Sequence, residues 1–118
     1  MLARGGEQLR ALQSVLGDRV DGTVPTLPVR WLRAPDETLR LPDTVVEIRH
    51  RGGAHTPGDL LVWLPQQRVL FSGDVVYMDR LLGVLPVSHT GRWMASLAEV
   101  EALAPAVVVP GHGRVTDL

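Results

Sequence analysis

The sequence predicts an α/β fold in which a mixed, mainly antiparallel sheet is flanked by helices. Short apolar runs typical of strands occupy the middle of the chain and a segment near its C-terminus. Two other segments have apolar residues at helical spacing, one before the strands and one ahead of the last strand. The order helix, several strands, helix, strand is typical of a layered α/β domain.

The first helix is predicted over residues 5–16. Leu9, Leu12 and Leu16 recur there at helical spacing, and Gly17 follows as a stop signal. Three prolines in residues 22–35 then favour loop or short extended segments. The strands are therefore expected to begin only after this region.

Five strands are predicted from apolar runs and from alternation of apolar and polar residues. A Pro-Gln-Gln turn separates the third strand from the fourth, so these two form a hairpin. The third and fifth strands are continuous apolar runs, which predicts burial on both faces. The predicted strands are residues 38–41, 44–49, 60–64, 69–71 and 106–109.

The second helix is predicted over residues 91–104, with Thr90 as its N-cap. Trp93 and Met94 are both expected in the core. One face of this helix carries Trp93, Leu97 and Val100.

Composition limits the function. The 118 residues are 45% apolar, which suits a single domain spanning residues 1–118. A formal net charge of −1 gives no electrostatic reason to expect nucleic acid or an anionic membrane as partner. No apolar run is long enough to span a bilayer, and the N-terminus has no secretory signal, so a cytoplasmic protein is expected.

Three short motifs each place a metal-ligand side chain in a glycine-containing turn beside a strand. They are Gly-Gly-Ala-His55-Thr-Pro-Gly, Phe-Ser-Gly-Asp74 and Pro-Gly-His112-Gly. Imidazole and carboxylate together suit Zn²⁺, with Mn²⁺ or Fe as alternatives, and the lack of cysteine excludes thiolate sites. A single such histidine is more often a turn or surface residue, and Asp74 alone is an ordinary turn cap. The three motifs in order favour a metal site.

Several neighbouring residues have two interpretations. Asp59 either supports the motif histidine through its second ring nitrogen or caps a turn. His89 either reaches a substrate or starts the second helix, and Tyr77 either lines a substrate wall or packs in the core. Arg49 and Arg51 flank the first motif, where they would suit an anionic substrate, but no wider basic field supports that interpretation.

The motif order resembles the metallo-β-lactamase superfamily. The resemblance covers residues 44–116 and includes His-Thr-Pro-Gly-Asp, an apolar hairpin, Phe-Ser-Gly-Asp, a helix and Val-Val-Pro-Gly-His-Gly. It implies the C-terminal part of an αβ/βα sandwich and a zinc-dependent hydrolase of small molecules. By resemblance, His55 belongs to the first of two metal sites, His112 belongs to the second, and Asp74 is the catalytic carboxylate that bridges the two ions.

The family's His-x-His-x-Asp-His motif does not occur in this sequence. We therefore expect weak or no stoichiometric zinc in the isolated chain and no hydrolysis by it. An incomplete gene, a split protein whose partner holds the first half, and a degenerate remnant all fit this pattern; the first is favoured. The alternative function is a non-catalytic interaction module that keeps the scaffold. Without the other half of the fold, self-association through apolar surface is expected.

Overall fold

The computed structural model describes residues 2–117, and for residues 2–4 it describes the backbone alone. The chain divides after Trp31 into two compact units. The first unit contains α1 (Leu2–Leu16), which starts earlier than the sequence predicts, and a 3-10 turn at Gly17–Val20. Gly17 has a φ of 57°, a left-handed conformation that suits glycine, and the helix ends there as predicted.

The second unit is built on a five-stranded sheet whose spatial order follows the chain. The first four strands pair antiparallel, whereas the fifth lies parallel to the fourth. The mixed, mainly antiparallel sheet is thus confirmed, and the parallel step requires a crossover, which is the helix α2 (Thr90–Leu103). The strands are β1 (Asp36–Arg40), β2 (Val45–Arg49), β3 (Leu61–Leu64), β4 (Val69–Tyr77) and β5 (Val107–His112).

The predicted ends of the last two strands are wrong. β4 does not stop at Phe71 but continues through Asp74 to Tyr77, and β5 continues to His112. The pairing of these strands shifts register on either side of Gly73, which has a φ of 50° and allows the bend. Two of the predicted metal ligands therefore stand on paired strands rather than on free loops.

One face of the sheet packs against α2 and forms the core. Its buried side chains include Leu70, Val75 and Val100, each at most 2% exposed, and burial of each contributes about 1.5–3 kcal/mol. Trp93 is 4% exposed and donates its indole N–H to the carbonyl of Val75 at 2.8 Å. Trp93 is thus in the core as predicted, but Met94 is 66% exposed and its predicted burial is wrong.

A group of ion pairs fastens α2 to the sheet. Glu99 of α2 accepts hydrogen bonds from Nη1 of Arg49 at 2.9 Å and from Nη2 of Arg51 at 2.6 Å. Arg49 also pairs with Glu47 at 2.6 Å, and Arg51 pairs with Asp36 at 2.8 Å. The two arginines that flank the first motif are therefore engaged in ion pairs within the fold, which favours a structural role over contact with an anionic substrate.

The opposite face of the sheet is apolar but less covered. β3 alternates between buried and half-buried residues, so the expected burial on both faces is not found there. A row of directly paired residues crosses this face, and Phe71 within it is 43% exposed. The row is Ile48, Val62, Phe71 and Val109.

No helix within residues 2–117 combines the length and apolar character that crossing a membrane requires.

Candidate metal centre

The fold brings the three predicted ligands together at one edge of the sheet. His55 lies in the loop between β2 and β3, Asp74 lies in β4 and His112 ends β5. Nε2 of His55 is 3.7 Å from Oδ2 of Asp74, and Nε2 of His112 is 3.6 Å from Oδ1. Each imidazole therefore faces a different oxygen of one carboxylate.

The His55 ring is fixed by its surroundings. Its side chain is 14% exposed, and its ring meets Trp93 edge-on at 5.9 Å between centroids. Nδ1 lies 2.5 Å from the carbonyl oxygen of Gly83. Because a carbonyl can only accept, Nδ1 donates its proton to Gly83, and when the ring is neutral this tautomer leaves the Nε2 lone pair turned toward Asp74. This tautomer is the one that Nε2 metal ligation needs.

The loop that holds His55 is closed by turn chemistry. Gly53 has a φ of 86°, and a methyl group there would lie 2.4 Å from the carbonyl oxygen of Thr56. Asp59 accepts hydrogen bonds from the backbone N–H of Thr56 at 2.9 Å and from its hydroxyl at 2.6 Å. Asp59 is therefore a turn cap, while Gly83 supports the second ring nitrogen of His55.

Gly83 is the residue that sequence reasoning missed. It belongs to the loop between β4 and α2, and it acts through its backbone carbonyl, which every residue type has. No side-chain pattern could have identified it. Only the path of this loop past His55 places the carbonyl there.

His112 is more open. Its side chain is 43% exposed, and its ring lies 5.1 Å from that of Tyr77. Nη1 of Arg80 lies 3.3 Å from Nδ1 of His112, and this guanidinium also sits 5.8 Å from the centre of the Tyr77 ring. A guanidinium only donates, so Nδ1 is the acceptor in this contact; in that tautomer the ring proton is on Nε2 and would have to leave this nitrogen before it could bind a metal. The two histidines of the centre are thus held in different ways.

Asp74 fits into a space that a glycine leaves. A methyl group at Gly111 would lie 2.0 Å from Oδ1 of Asp74 and 2.8 Å from its backbone nitrogen. Real Cβ contacts are never this short, so any larger residue at Gly111 displaces the carboxylate. The glycine of the Pro-Gly-His motif therefore positions Asp74 across the β4–β5 pair.

Tyr77 lies between the two histidines rather than in the core alone. Its hydroxyl is 3.3 Å from Nδ1 of His55, and its ring also approaches Trp93 at 6.3 Å. Burial, followed by the negative charge of Asp74 and a hydrogen bond to it, raises the pKa of the Tyr77 phenol. The hydroxyl therefore remains protonated at neutral pH and available as a donor.

The three ligands suit two metal ions that share Asp74 better than one ion bound by all three. Two ligands about 2.1 Å from a tetrahedral zinc ion lie about 3.4 Å apart, close to both histidine–carboxylate separations. Among residues 2–117, however, no group of three or more His, Cys, Asp or Glu side chains converges so that it could hold a metal ion. Asp74 instead joins two separate pairs, one with each histidine.

Two other features lie apart from the centre. His89 precedes α2 and accepts a hydrogen bond from the backbone N–H of Arg92 at 3.3 Å, so it caps the helix where the sequence predicts Thr90. A polar cleft of about 280 Å³ opens between β1 and β2 and contains none of the three ligands. Neither feature adds a ligand to the centre.

Comparison with known proteins gives a family. A profile of the metallo-beta-lactamase superfamily matches residues 4–112. A metallo-beta-lactamase type 2 of Bacillus sp. (strain 170) is 32% identical over 83 residues, which are 67% of this chain and 32% of that protein. An acyl-coenzyme A thioesterase of Gallus gallus is 30% identical over 92 residues, which are 75% of this chain and 32% of that protein.

Solved structures agree in fold. A metallo-beta-lactamase from Pontibacter korlensis superimposes with a TM-score of 0.70 at 24% identity, over 92% of this chain and 56% of that chain. The chain belongs to the metallo-β-lactamase superfamily, a family of hydrolases, and has an α/β fragment of its fold. It spans about a third of the length of the curated relatives it matches.

Proposed function

We propose that this chain supplies part of a two-metal centre in a zinc-dependent hydrolase. The position of Asp74 is the observation that supports this function, since its two carboxylate oxygens face the Nε2 atoms of His55 and His112 at 3.7 and 3.6 Å. Each histidine would serve one ion and Asp74 would serve both; Mn²⁺ or Fe are the alternatives to Zn²⁺. Bound zinc would supply an activated water and polarise the group under attack.

The chain's own residues would prepare the site. The Gly83 carbonyl accepts from Nδ1 of His55 and so turns Nε2 toward Asp74, and the glycine at position 111 leaves room for Asp74. Tyr77 places a protonated hydroxyl beside His55, where it is suited to hold a polar atom of a substrate. No nucleophilic side chain is required, because water is the nucleophile in metal-assisted hydrolysis.

The substrate would be a small molecule, and its reacting group stays open. One relative is named for β-lactams and another for acyl-coenzyme A thioesters. Thioester, lactone, β-lactam and phosphoester are all compatible with a centre of this type. The loops around the metals, rather than the ligands, select among them.

Metal titration tests the proposed ligands. We expect weak Zn²⁺ binding by the isolated chain, since the His-x-His-x-Asp-His set is not in this sequence. Isothermal calorimetry or Co²⁺ absorption should show that Asp74→Asn abolishes this binding. Asp79→Asn is the matched control, because Asp79 pairs instead with Arg114 at 2.7 Å. Binding that survives Asp74→Asn would refute the ligand assignment, and two tightly held ions per chain would refute the expected weakness.

The alternative function is a non-catalytic interaction module, and the lack of a three-ligand group among the described residues favours it. Activity measurements separate it from the proposed hydrolase. With added Zn²⁺, the isolated chain should hydrolyse neither a chromogenic β-lactam nor a thioester. A protein that joins this chain to a His-x-His-x-Asp-His segment should hydrolyse one of them, and Asp74→Asn should lower that rate by about 100-fold or more. Metal binding without hydrolysis in the joined protein would support the interaction module.

A further inference from the structure

The first strand of the sheet has an open edge. β1 comes first in the sheet order, and among residues 2–117 it pairs only with β2. The pairing runs without a register shift over five residue pairs, and the strand contains no proline. Bulges and prolines are among the features that keep an edge strand from pairing with another chain. The edge of β1 is therefore suited to receive a further strand.

The alternation of backbone hydrogen bonds shows which residues form this edge. The N–H of Leu41 bonds the carbonyl of Thr44 at 2.9 Å, and at the other end of the strand pair the N–H of His50 bonds the carbonyl of Pro35 at 2.7 Å. Bonded pairs alternate along an antiparallel ladder, so the odd-numbered residues from 35 to 41 bond to β2. The even-numbered residues direct their N–H and carbonyl groups to the open edge. They are Asp36, Thr38 and Arg40.

These three residues, hereafter the edge residues, are accessible and carry a symmetric charge pattern. All three are exposed, and the Asp36 side chain is 62% exposed even though Nη1 of Arg51 contacts its Oδ1 at 2.8 Å. Because side chains alternate along a strand, the edge residues share one face of the sheet. An acid and a base stand there at equal distances from Thr38. The same pattern in reverse order is its electrostatic complement.

We propose that β1 pairs antiparallel with β1 of a second copy of this chain, about a two-fold axis at Thr38. In this register Asp36 of each copy lies opposite Arg40 of the other, and opposite charges at directly paired positions stabilise a sheet. It is also the antiparallel register that pairs all three edge residues of both copies. A surface that meets itself about a two-fold axis gives the commonest kind of homodimer.

The charge pattern selects a second copy as the occupant, rather than a strand of unrelated sequence. An unrelated strand would need its own acid and base at matching positions, whereas a second copy always has them. The pairing would join two five-stranded sheets edge to edge. It does not depend on the proposed metal centre.

Charge reversal tests the register. Asp36→Arg and Arg40→Asp each place like charges opposite one another at both ends of the pair, so each should weaken dimerisation about tenfold or more. An equal mixture of the two variants should dimerise at least as tightly as the unaltered chain, because every arginine then faces an aspartate. Sedimentation velocity over a concentration series measures these constants. Glu101→Arg makes the same charge change at an exposed position of α2 and should leave dimerisation unchanged.

Cross-linking locates the contact. The chain has no cysteine, so Thr38→Cys introduces a single thiol at the proposed axis. Residues of a bonded antiparallel pair have Cα atoms about 5.5 Å apart, which a short bismaleimide can span. Thr38→Cys should therefore give a covalent dimer in high yield. Met94→Cys, at a side chain of α2 that is 66% exposed, is the control and should stay largely uncross-linked.

The outcomes separate edge pairing from other kinds of association. Unchanged dimerisation in both charge variants would overturn the proposal, and so would a mixture that associates no more tightly than either variant alone. A chain that associates without a Thr38→Cys cross-link would show that copies meet elsewhere, and a chain that stays monomeric would leave the edge to a strand of another protein. Arg40→Asp keeps the pair between Asp36 and Arg51, so it carries the test if Asp36→Arg fails to fold.

Discussion

At the scale of single residues, the centre depends on a glycine as well as on its ligands. Gly111→Ala should displace Asp74, because the added methyl would lie 2.0 Å from Oδ1. We expect a loss of about 1–3 kcal/mol in the free energy of unfolding and a loss of Zn²⁺ binding. Gly58→Ala is the control, since nothing lies within 4 Å of a methyl there. Denaturant unfolding and calorimetry measure both effects, and unchanged metal affinity in Gly111→Ala would contradict the geometry.

Arg80 is expected to weaken metal binding at the centre. Its guanidinium lies 3.3 Å from Nδ1 of His112, so a cation at the centre would be repelled by it. Arg80→Gln should therefore tighten Zn²⁺ binding about three- to tenfold at low salt, the size of a dication–cation repulsion across about 6 Å of water. The effect should shrink with added salt.

The exposed Arg40 of β1 provides the comparison, and Arg40→Gln should leave the affinity unchanged. A weaker affinity in Arg80→Gln would mean that Arg80 instead supports the orientation of His112. The measurement is calorimetry at two ionic strengths.

At the scale of elements, Glu99 links α2 to β2 and makes stability depend on pH. Burial pushes the pKa of its carboxyl up, but hydrogen bonds from Arg51 and Arg49 outweigh burial and lower the pKa below its ordinary 4.5. A carboxyl with a lowered pKa stabilises the fold fully above about pH 4.5, and this contribution is lost as the pH falls through the folded-state pKa.

Glu99→Gln should destabilise the chain by about 2 kcal/mol at pH 7, because two partly buried charge-assisted hydrogen bonds are lost. It should also flatten the dependence of the unfolding free energy on pH below 4.5. Glu101→Gln on the exposed side of the same helix should do neither. Urea unfolding between pH 3 and 7 measures both quantities; parallel pH profiles for Glu99→Gln and the unaltered chain would contradict the role of Glu99.

The elements also show what the sequence could and could not predict. Helices and strands had the right order because apolar spacing reflects which face is buried. The ends of β4 and β5 were wrong, since Gly73 and Gly111 usually signal turns but here allow two bent strands to approach closely. The N-cap was assigned to Thr90 because Ser, Thr, Asp and Asn are the usual N-caps. His89 is the cap instead, which confirms the interpretation that His89 starts the helix.

The centre was predictable only in part, for a related reason. His55, Asp74 and His112 are conspicuous because their side chains bind metals and each lies beside a glycine and a strand. The groups that orient them act differently: Gly83 uses its carbonyl, and Gly111 acts by having no side chain. Such roles depend on how distant segments meet, which local sequence patterns do not contain.

At the scale of the whole molecule, the sheet face opposite α2 is expected to determine the association state of the chain. The row Ile48–Val62–Phe71–Val109 is apolar throughout, and Phe71 remains 43% exposed. Contiguous apolar surface of this kind promotes association in water. We therefore expect the isolated chain to self-associate through this face. Sedimentation velocity should show a sedimentation coefficient that rises with protein concentration.

Phe71→Lys should shift this association toward monomer, because pairing would bury the introduced charge without a partner. Leu81→Lys is the control: it adds the same charge at a side chain that is 90% exposed but lies in the loop between β4 and α2 rather than on the sheet. If the sheet face mediates association, only Phe71→Lys weakens it, whereas a response to Leu81→Lys alone would assign association to the loop. A monodisperse monomer of the unaltered chain at all concentrations would refute self-association. The apolar sheet face would then remain exposed to water in the monomer.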